Sequence, residues 1–262
     1  MPSAPVPSGD PVDARIRELR SADVSLTVRG ADGLPLAGHE VVIAQRSHRF
    51  GFGCAAFDVL PVANGELDDA AAEAAERLLA RWLAVFNTAT LPFYWGRFEP
   101  RRGQPDTRRL MNAAAWLVER GCRVKGHPLC WHTITADWLL ELADDDILAA
   151  QLDRIRREVT GFAGLIDAWD VINEVVIMPV FDRYENGITR MCRRLGQVET
   201  VRVTFEAARS ANPNATLLLN DFDMSEAFER LIERCLDGGI RIDALGLQSH
   251  MHQGYWGEAK TL

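Results

Sequence analysis

Trp169-Asp170-Val171-Ile172-Asn173-Glu174 is a mostly apolar run that ends on an amide and a carboxylate. If the run is a strand, Asn173 and Glu174 arrive together at its end. A carboxylic acid there could protonate a departing glycosidic oxygen, and a neighbouring amide could hold a sugar 2-hydroxyl, two tasks that glycoside cleavage requires. A solvated glutamate opening a loop is the competing reading. Lys125-Gly126-His127-Pro128-Leu129-Cys130-Trp131-His132 is a second candidate. Imidazoles hydrogen-bond sugar hydroxyls and an indole packs on the apolar face of a pyranose, although Trp131 could equally be core and His127 a satisfied interior histidine. In Leu245-Gly246-Leu247-Gln248-Ser249-His250-Met251-His252, period-two spacing puts Gln248, His250 and His252 on one face. Two histidines so spaced also suggest a metal site.

These groups need elements to carry them. Short apolar runs at 50–54, 87–91, 123–129, 168–172, 216–219 and 244–248 read as strands, and amphipathic stretches at 69–86, 107–120, 144–160, 197–211 and 225–237 read as helices. Asp106 and Ser225 are the expected N-caps, Gly121 and Gly238 the expected stops. Strand–helix alternation implies parallel strands with right-handed crossovers. The absence of a Gly-rich phosphate fingerprint after the early strands disfavours a nucleotide-binding doubly wound sheet. A barrel explains why Lys125, His127, Trp131, His132, Asn173, Glu174, Asn220, Asp221, Asp223, Gln248 and His250 all lie at or just beyond strand ends, where barrels place functional groups. The expected fold is therefore α/β, a (β/α)8 barrel over 50–262 that supplies six βα units and is incomplete at its C-terminal end. Residues 1–12 are rich in Pro and Ser and read as a disordered leader. Residues 13–49 read as a short helix (13–20) and a β-hairpin extension, with strands at Val24–Val28 and Val41–Ala44 and a turn at Asp32-Gly33.

With 262 residues, 47% hydrophobic and 25% charged, the composition is that of a globular protein. A net charge of -8 argues against nucleic-acid and anionic-membrane partners, while a neutral polysaccharide would not feel it. Five cysteines, odd in number and widely spaced, are expected as buried thiols rather than as disulfides or zinc ligands. The first residues lack the basic start and apolar stretch of a secretion signal, so the chain as written is expected in the cytoplasm.

The three segments, taken together and in order, resemble glycoside hydrolase family 10, the xylanase family. Its pattern G-H-x-L-x-W-H is met by Gly126-His127 through Trp131-His132, W-D-V-x-N-E by Trp169 through Glu174, N-D by Asn220-Asp221, and G-x-Q-S-H by Gly246 through His250. The resemblance implies a retaining hydrolase of β-linked, xylan-like polysaccharide that needs no cofactor or metal. Glu174 would be its acid/base and Asn173 would hold the 2-hydroxyl. His127, Trp131, His132, Gln248 and His250 would line the same subsite, with Gln248 and His250 also holding the nucleophile. A carbohydrate is the implied partner; nothing in the sequence fixes the oligomeric state.

Several departures qualify this. Tyr94 stands where the family carries a lysine, and the preceding Glu-Asn pair is absent, although Trp95 and Glu99-Pro100 keep the frame. Phe222 also replaces the usual tyrosine after Asn220-Asp221. The family nucleophile, a seventh-strand glutamate, has no counterpart here, because Glu258 lies too close to His250. A sugar-binding chain without turnover is thus the alternative, and a metal-dependent barrel hydrolase using His127, His132, His250 and His252 is a further one.

Overall fold

The structure is a computed structural model that describes residues 11–46 and 48–250. The chain divides into two compact units, residues 1–47 and 48–262. Most of the 1–12 leader lies outside the described residues. In the first unit, Pro11–Arg20 forms helix α1. Asp32-Gly33 makes the expected turn: Gly33 takes a φ of +78°, and Leu34 N–H is capped by Asp32 Oδ1 at 3.0 Å. The returning arm, however, is Leu34–Leu36, not Val41–Ala44. Gly30 N–H donates to Leu34 O at 2.8 Å, Leu36 N–H donates to Val28 O at 2.9 Å, and Arg29 bridges Pro35. A tight turn fixes the register at once, so the partner of Val28 is the first residue to come back rather than the most β-branched one. Neither Val24–Thr27 nor Val41–Ala44 forms a ladder among the described residues; the pairing is confined to Val28–Gly30 and Leu34–Leu36.

The second unit holds one sheet of six parallel strands in chain order. These are β1 (Gly53–Ala55), β2 (Thr88–Pro92), β3 (Arg123–His127), β4 (Ala168–Asn173), β5 (Thr216–Asp221) and β6 (Ala244–Leu247). Between successive strands lie α2 (Val59–Ala63) and α3 (Asp69–Val85), α4 (Trp95–Phe98) and α5 (Thr107–Glu119), α6 (Asp144–Gly161), α7 (Gly187–Leu195) and α8 (Gln197–Ala211), and α9 (Glu226–Asp237). This succession is the first six units of a (β/α)8 barrel. Capping sets several helix starts: Asp68 accepts from Ala71 N–H at 2.9 Å and Ser225 from Ala227 N–H at 3.2 Å. Asp106 caps no backbone N–H with its carboxylate, which faces Arg109 at 3.6 Å instead. Gly121 ends α5 with φ +80°; at the end of α9 the positive φ falls on Gly239 rather than Gly238. The β3 ladder with β2 stops at His127 instead of Leu129, because Pro128 has no N–H to continue it. The short helices α2, α4 and α7 lie inside the connections after β1, β2 and β4 and carry too few turns to show as periodicity in the sequence.

Trp169, Phe93 and Phe162 are fully buried and meet edge-on, with ring centroids 4.8–6.2 Å apart. The Trp169 ring lies so close to Gly126 that a β-carbon there would stand 2.2 Å from it. The glycine before His127 is thus a packing requirement of the strand that carries the histidine.

One irregularity decides what the site contains. In the β4–β5 ladder Asp170 faces Leu218, but Ile172 already faces Leu219, so β4 holds one residue more than its partner. Strict alternation would send Asp170 and Asn173 to opposite faces of the sheet. The bulge restores them to one face, opposite Leu218 and Asn220, which are two residues apart on β5.

Candidate active site

Glu174 follows β4 directly and has a left-handed backbone, φ +58°. Its N–H is fixed to Asn220 O at 2.8 Å, at the end of β5. Trp131 Nε1 donates to its Oε2 at 2.8 Å and Gln248 Nε2 to its Oε1 at 3.2 Å. Its side chain is 13% exposed, so the acid stays within reach of a ligand. Asn173 is buried, and its Oδ1 accepts from both Asn220 Nδ2 at 2.5 Å and Gln248 Nε2 at 3.0 Å. The carbonyl of the amide is therefore used up by the protein and its NH2 is left to donate. A β-carbon at Gly246 would lie 2.1 Å from Asn220 Oδ1, which explains why the strand carrying Gln248 has glycine beside Asn220. Gln248 Oε1 in turn accepts from His250 Nε2 at 2.9 Å.

His127 stands one strand away. Its Nδ1 donates to Asp170 Oδ2 at 2.7 Å, and the Lys125 ammonium donates to the same oxygen at 2.7 Å. With Nδ1 committed, Nε2 is the nitrogen left for a ligand. Asp170 is fully buried and its Oδ1 has no hydrogen-bond partner among the described residues. His132 is buried against Phe181, ring centroids 4.5 Å apart, with Nε2 3.9 Å from Glu174 Oε2. Burial pulls its pKa down to about 4, so at neutral pH it is uncharged and Glu174 faces no cation there. Tyr94 packs across His127 and Trp131, ring centroids 5.7 and 5.6 Å away. Asp221 is fully buried below Glu174, its oxygens accepting from Val176 N–H at 3.1 Å and Asp223 N–H at 3.0 Å. Burial pushes its carboxyl up to about 6, against the pull of those two N–H groups.

Glu174, Asn173, Trp131, His132, Gln248, His250 and His127 thus gather at the C-terminal ends of β3, β4 and β6. Asp170 was visible in the sequence only as part of a motif and received no role; the signal it offered was an ionisable residue inside an otherwise apolar strand, which needs a buried partner. Among the described residues no three His, Cys, Asp or Glu side chains group as a metal site, and His252 lies outside them. All five cysteines are free; Cys54 is exposed rather than buried, with Trp82 Nε1 donating to its Sγ at 3.0 Å, while the other four are buried as expected. No helix among the described residues is long and apolar enough to cross a membrane.

A second glutamate–tryptophan pair joins the first residue of α4, Trp95, to its C-terminal cap, Glu99. Glu99 is 2% exposed and accepts from Trp95 Nε1 at 3.1 Å, Gly103 N–H at 2.8 Å and Arg157 Nη2 at 2.7 Å. Burial raises its pKa, but the Arg157, Gly103 and Trp95 hydrogen bonds outweigh it and hold the carboxyl below its ordinary value. Arg154, beside this group and fully enclosed, donates to Leu129 O and Phe93 O and so ties α6 to the chain leaving β2 and β3.

The sheet has relatives of known structure. Xylanase 10B from Thermotoga maritima superposes with a TM-score of 0.61 at 24% identity, covering 76% of this chain and 60% of that one. A thermostable mutant of xylanase Xyn10A from Cellvibrio japonicus gives 0.64 at 24%, covering 81% and 63%. By sequence the chain is 31% identical over 174 residues to endo-1,4-beta-xylanase 3 of Hypocrea jecorina, 61% of this chain and 47% of that protein. It is 28% identical over 145 residues to a beta-1,4-xylanase of Dictyoglomus thermophilum, 52% of this chain and 39% of that protein. The chain therefore spans less than half the length of these two curated relatives. The model of glycosyl hydrolase family 10 matches residues 64–261, and this chain belongs to that family.

Proposed function

We propose that the chain carries the acid/base half of a retaining glycoside hydrolase acting on a β-linked, xylan-like polysaccharide. The observation that carries this is the setting of Glu174: a partly open carboxyl held by two neutral donors, Trp131 and Gln248, with an uncharged His132 beside it. These donors fix the direction of the carboxyl, which suits a residue that gives a proton to the leaving oxygen and later takes one from water. The free NH2 of Asn173 would donate to the sugar 2-hydroxyl, where hydrogen bonds strengthen in the transition state. His127 Nε2 and the Trp131 ring would bind the same sugar.

A second reading, a sugar-binding chain without turnover, rests on the other carboxylates of this end. Asp170 and Asp221 are both fully buried and engaged by Lys125, His127 and backbone N–H groups, so neither is offered as a nucleophile. Oligosaccharide binding with no product formed by the whole protein would favour this reading.

The test is Glu174→Ala in the whole protein. Glycosides with a sugar leaving group should slow by roughly 10²–10⁴-fold, the usual value of general acid catalysis. An activated aryl glycoside should keep its first step and lose its second, and azide should restore turnover with retained stereochemistry. Cleavage of sugar-leaving substrates at the parent rate, or an inverted azide product, would overturn the assignment.

A further inference from the structure

The loops after β1 and β2 enclose a cavity of about 220 Å3 whose lining includes Phe57, Tyr94, Arg97, Asp106 and Arg109. All of these follow the C-terminal end of β1 or β2 in the chain, the same end of the sheet that carries Glu174. Tyr94 joins the two places: its ring lies 5.6 Å from Trp131, whose Nε1 holds Glu174.

Three lining side chains are ionised, and two are cations. Arg109 is already committed, with Nε and Nη2 on the two Glu66 oxygens at 2.7 and 2.8 Å and Asp106 3.6 Å away. Arg97 is exposed, and its guanidinium has neither a hydrogen bond nor an ion pair among the described residues. The Tyr94 hydroxyl is also without a hydrogen-bond partner among the described residues. Burial raises the Tyr94 pKa against the smaller opposing pull of Arg97, so the hydroxyl keeps its proton and can donate. A guanidinium can donate to a neutral sugar hydroxyl, but a single-point acceptor leaves its second N–H unused. A carboxylate uses both, because a guanidinium fork matches it with two parallel bonds.

We propose that this cavity is a subsite for a carboxylate-bearing sugar, a uronic acid unit attached to the polysaccharide, with Arg97 as counter-ion and the Tyr94 hydroxyl as second donor. The proposal deepens the reading of the Glu174 site as a glycan site and rests on it.

Calorimetry on the full protein separates the two. The probes are a neutral xylo-oligosaccharide and the same oligosaccharide with one glucuronic acid branch, placed at each sugar in turn. One branched isomer should bind about three- to tenfold tighter than the neutral chain, a charge-assisted hydrogen bond discounted for solvent exposure. Arg97→Gln should bring that ratio to about one, and Arg97→Lys should leave it above one. Equal binding of neutral and branched chains, or a preference that survives Arg97→Gln, would overturn the subsite while leaving the glycan reading intact. Free glucuronate binding as tightly as the branched chain would reduce the site to a simple anion site and also overturn it. If neither oligosaccharide binds, the glycan reading itself fails and the subsite with it.

Discussion

Two glutamates in this molecule accept a hydrogen bond from a tryptophan indole, and they differ in what else they touch. Glu99 adds Arg157 and a backbone N–H and is closed off from solvent; Glu174 adds an amide and stays partly open. The Arg157 guanidinium, 39% exposed and shared with Glu158, helps hold the Glu99 carboxyl below its ordinary value. Trp131 and Gln248 orient the Glu174 carboxyl, and no cation is among its hydrogen-bond donors. The first arrangement ties α4 to α6; the second leaves the carboxyl partly open at the end of the sheet. The tryptophan–glutamate pair is common to both, so the third partner decides between structure and chemistry.

Exchanging one partner at a time tests this contrast. The largest effect on stability should come from Glu99→Ala, about 2–3 kcal/mol by urea unfolding, since it leaves Trp95 Nε1 and Gly103 N–H without their acceptor while Arg157 keeps Glu158. Glu174→Ala should change stability by no more than about 1 kcal/mol while removing the acid. Equal losses of stability in the two variants would break the comparison.

A smaller effect concerns pH. His132 has a lowered pKa, about 4, so its neutral form contributes stability that is full above the unfolded value near 6.5 and is lost as pH falls toward 4. Asp221 has a raised pKa, about 6, so the folded chain holds a proton that the unfolded chain releases, and stability falls as pH rises from about 4 to 6. The two slopes oppose each other over the same interval. Melting temperatures of Asp221→Asn between pH 4 and 6 should therefore rise more steeply than those of the parent. Parallel curves would show that Asp221 is not protonated in the fold.

The smallest effect comes from the indoles. Trp95→Phe should cost about 1 kcal/mol of stability, the net value of one hydrogen bond. Trp131→Phe should leave the melting temperature nearly unchanged and lower turnover on sugar-leaving substrates. Reversal of these two outcomes would assign the structural role to the wrong pair.

Much of the barrel was legible because an apolar strand followed by an amphipathic helix leaves a pattern within one window of sequence. The end of β4 shows where that legibility stops. Asn173 and Glu174 stand out as polar residues at the close of an apolar run, but the bulge before them leaves no trace in a run where Val171 and Ile172 are both apolar. The companionship of Asp170 with Asn173 was invisible for that reason. Glu99 was legible only as part of a motif, since Arg157 lies 58 residues away on another helix. The hairpin misreading has a different origin: β-branched residues at 41–44 advertise a strand, but a strand exists only where a partner arrives, and the turn had already chosen Leu34–Leu36.

The left-handed backbone at Glu174 bears on how this sequence can change over time. A non-glycine residue in that conformation carries a conformational cost of roughly 1–2 kcal/mol, which Gly would avoid and Asn would largely escape. Neither can donate a proton to a leaving group. Mutational drift governed by folding alone would thus move this position toward Gly or Asn, and a lineage released from the need for acid catalysis should show its loss here as a gain in thermal stability.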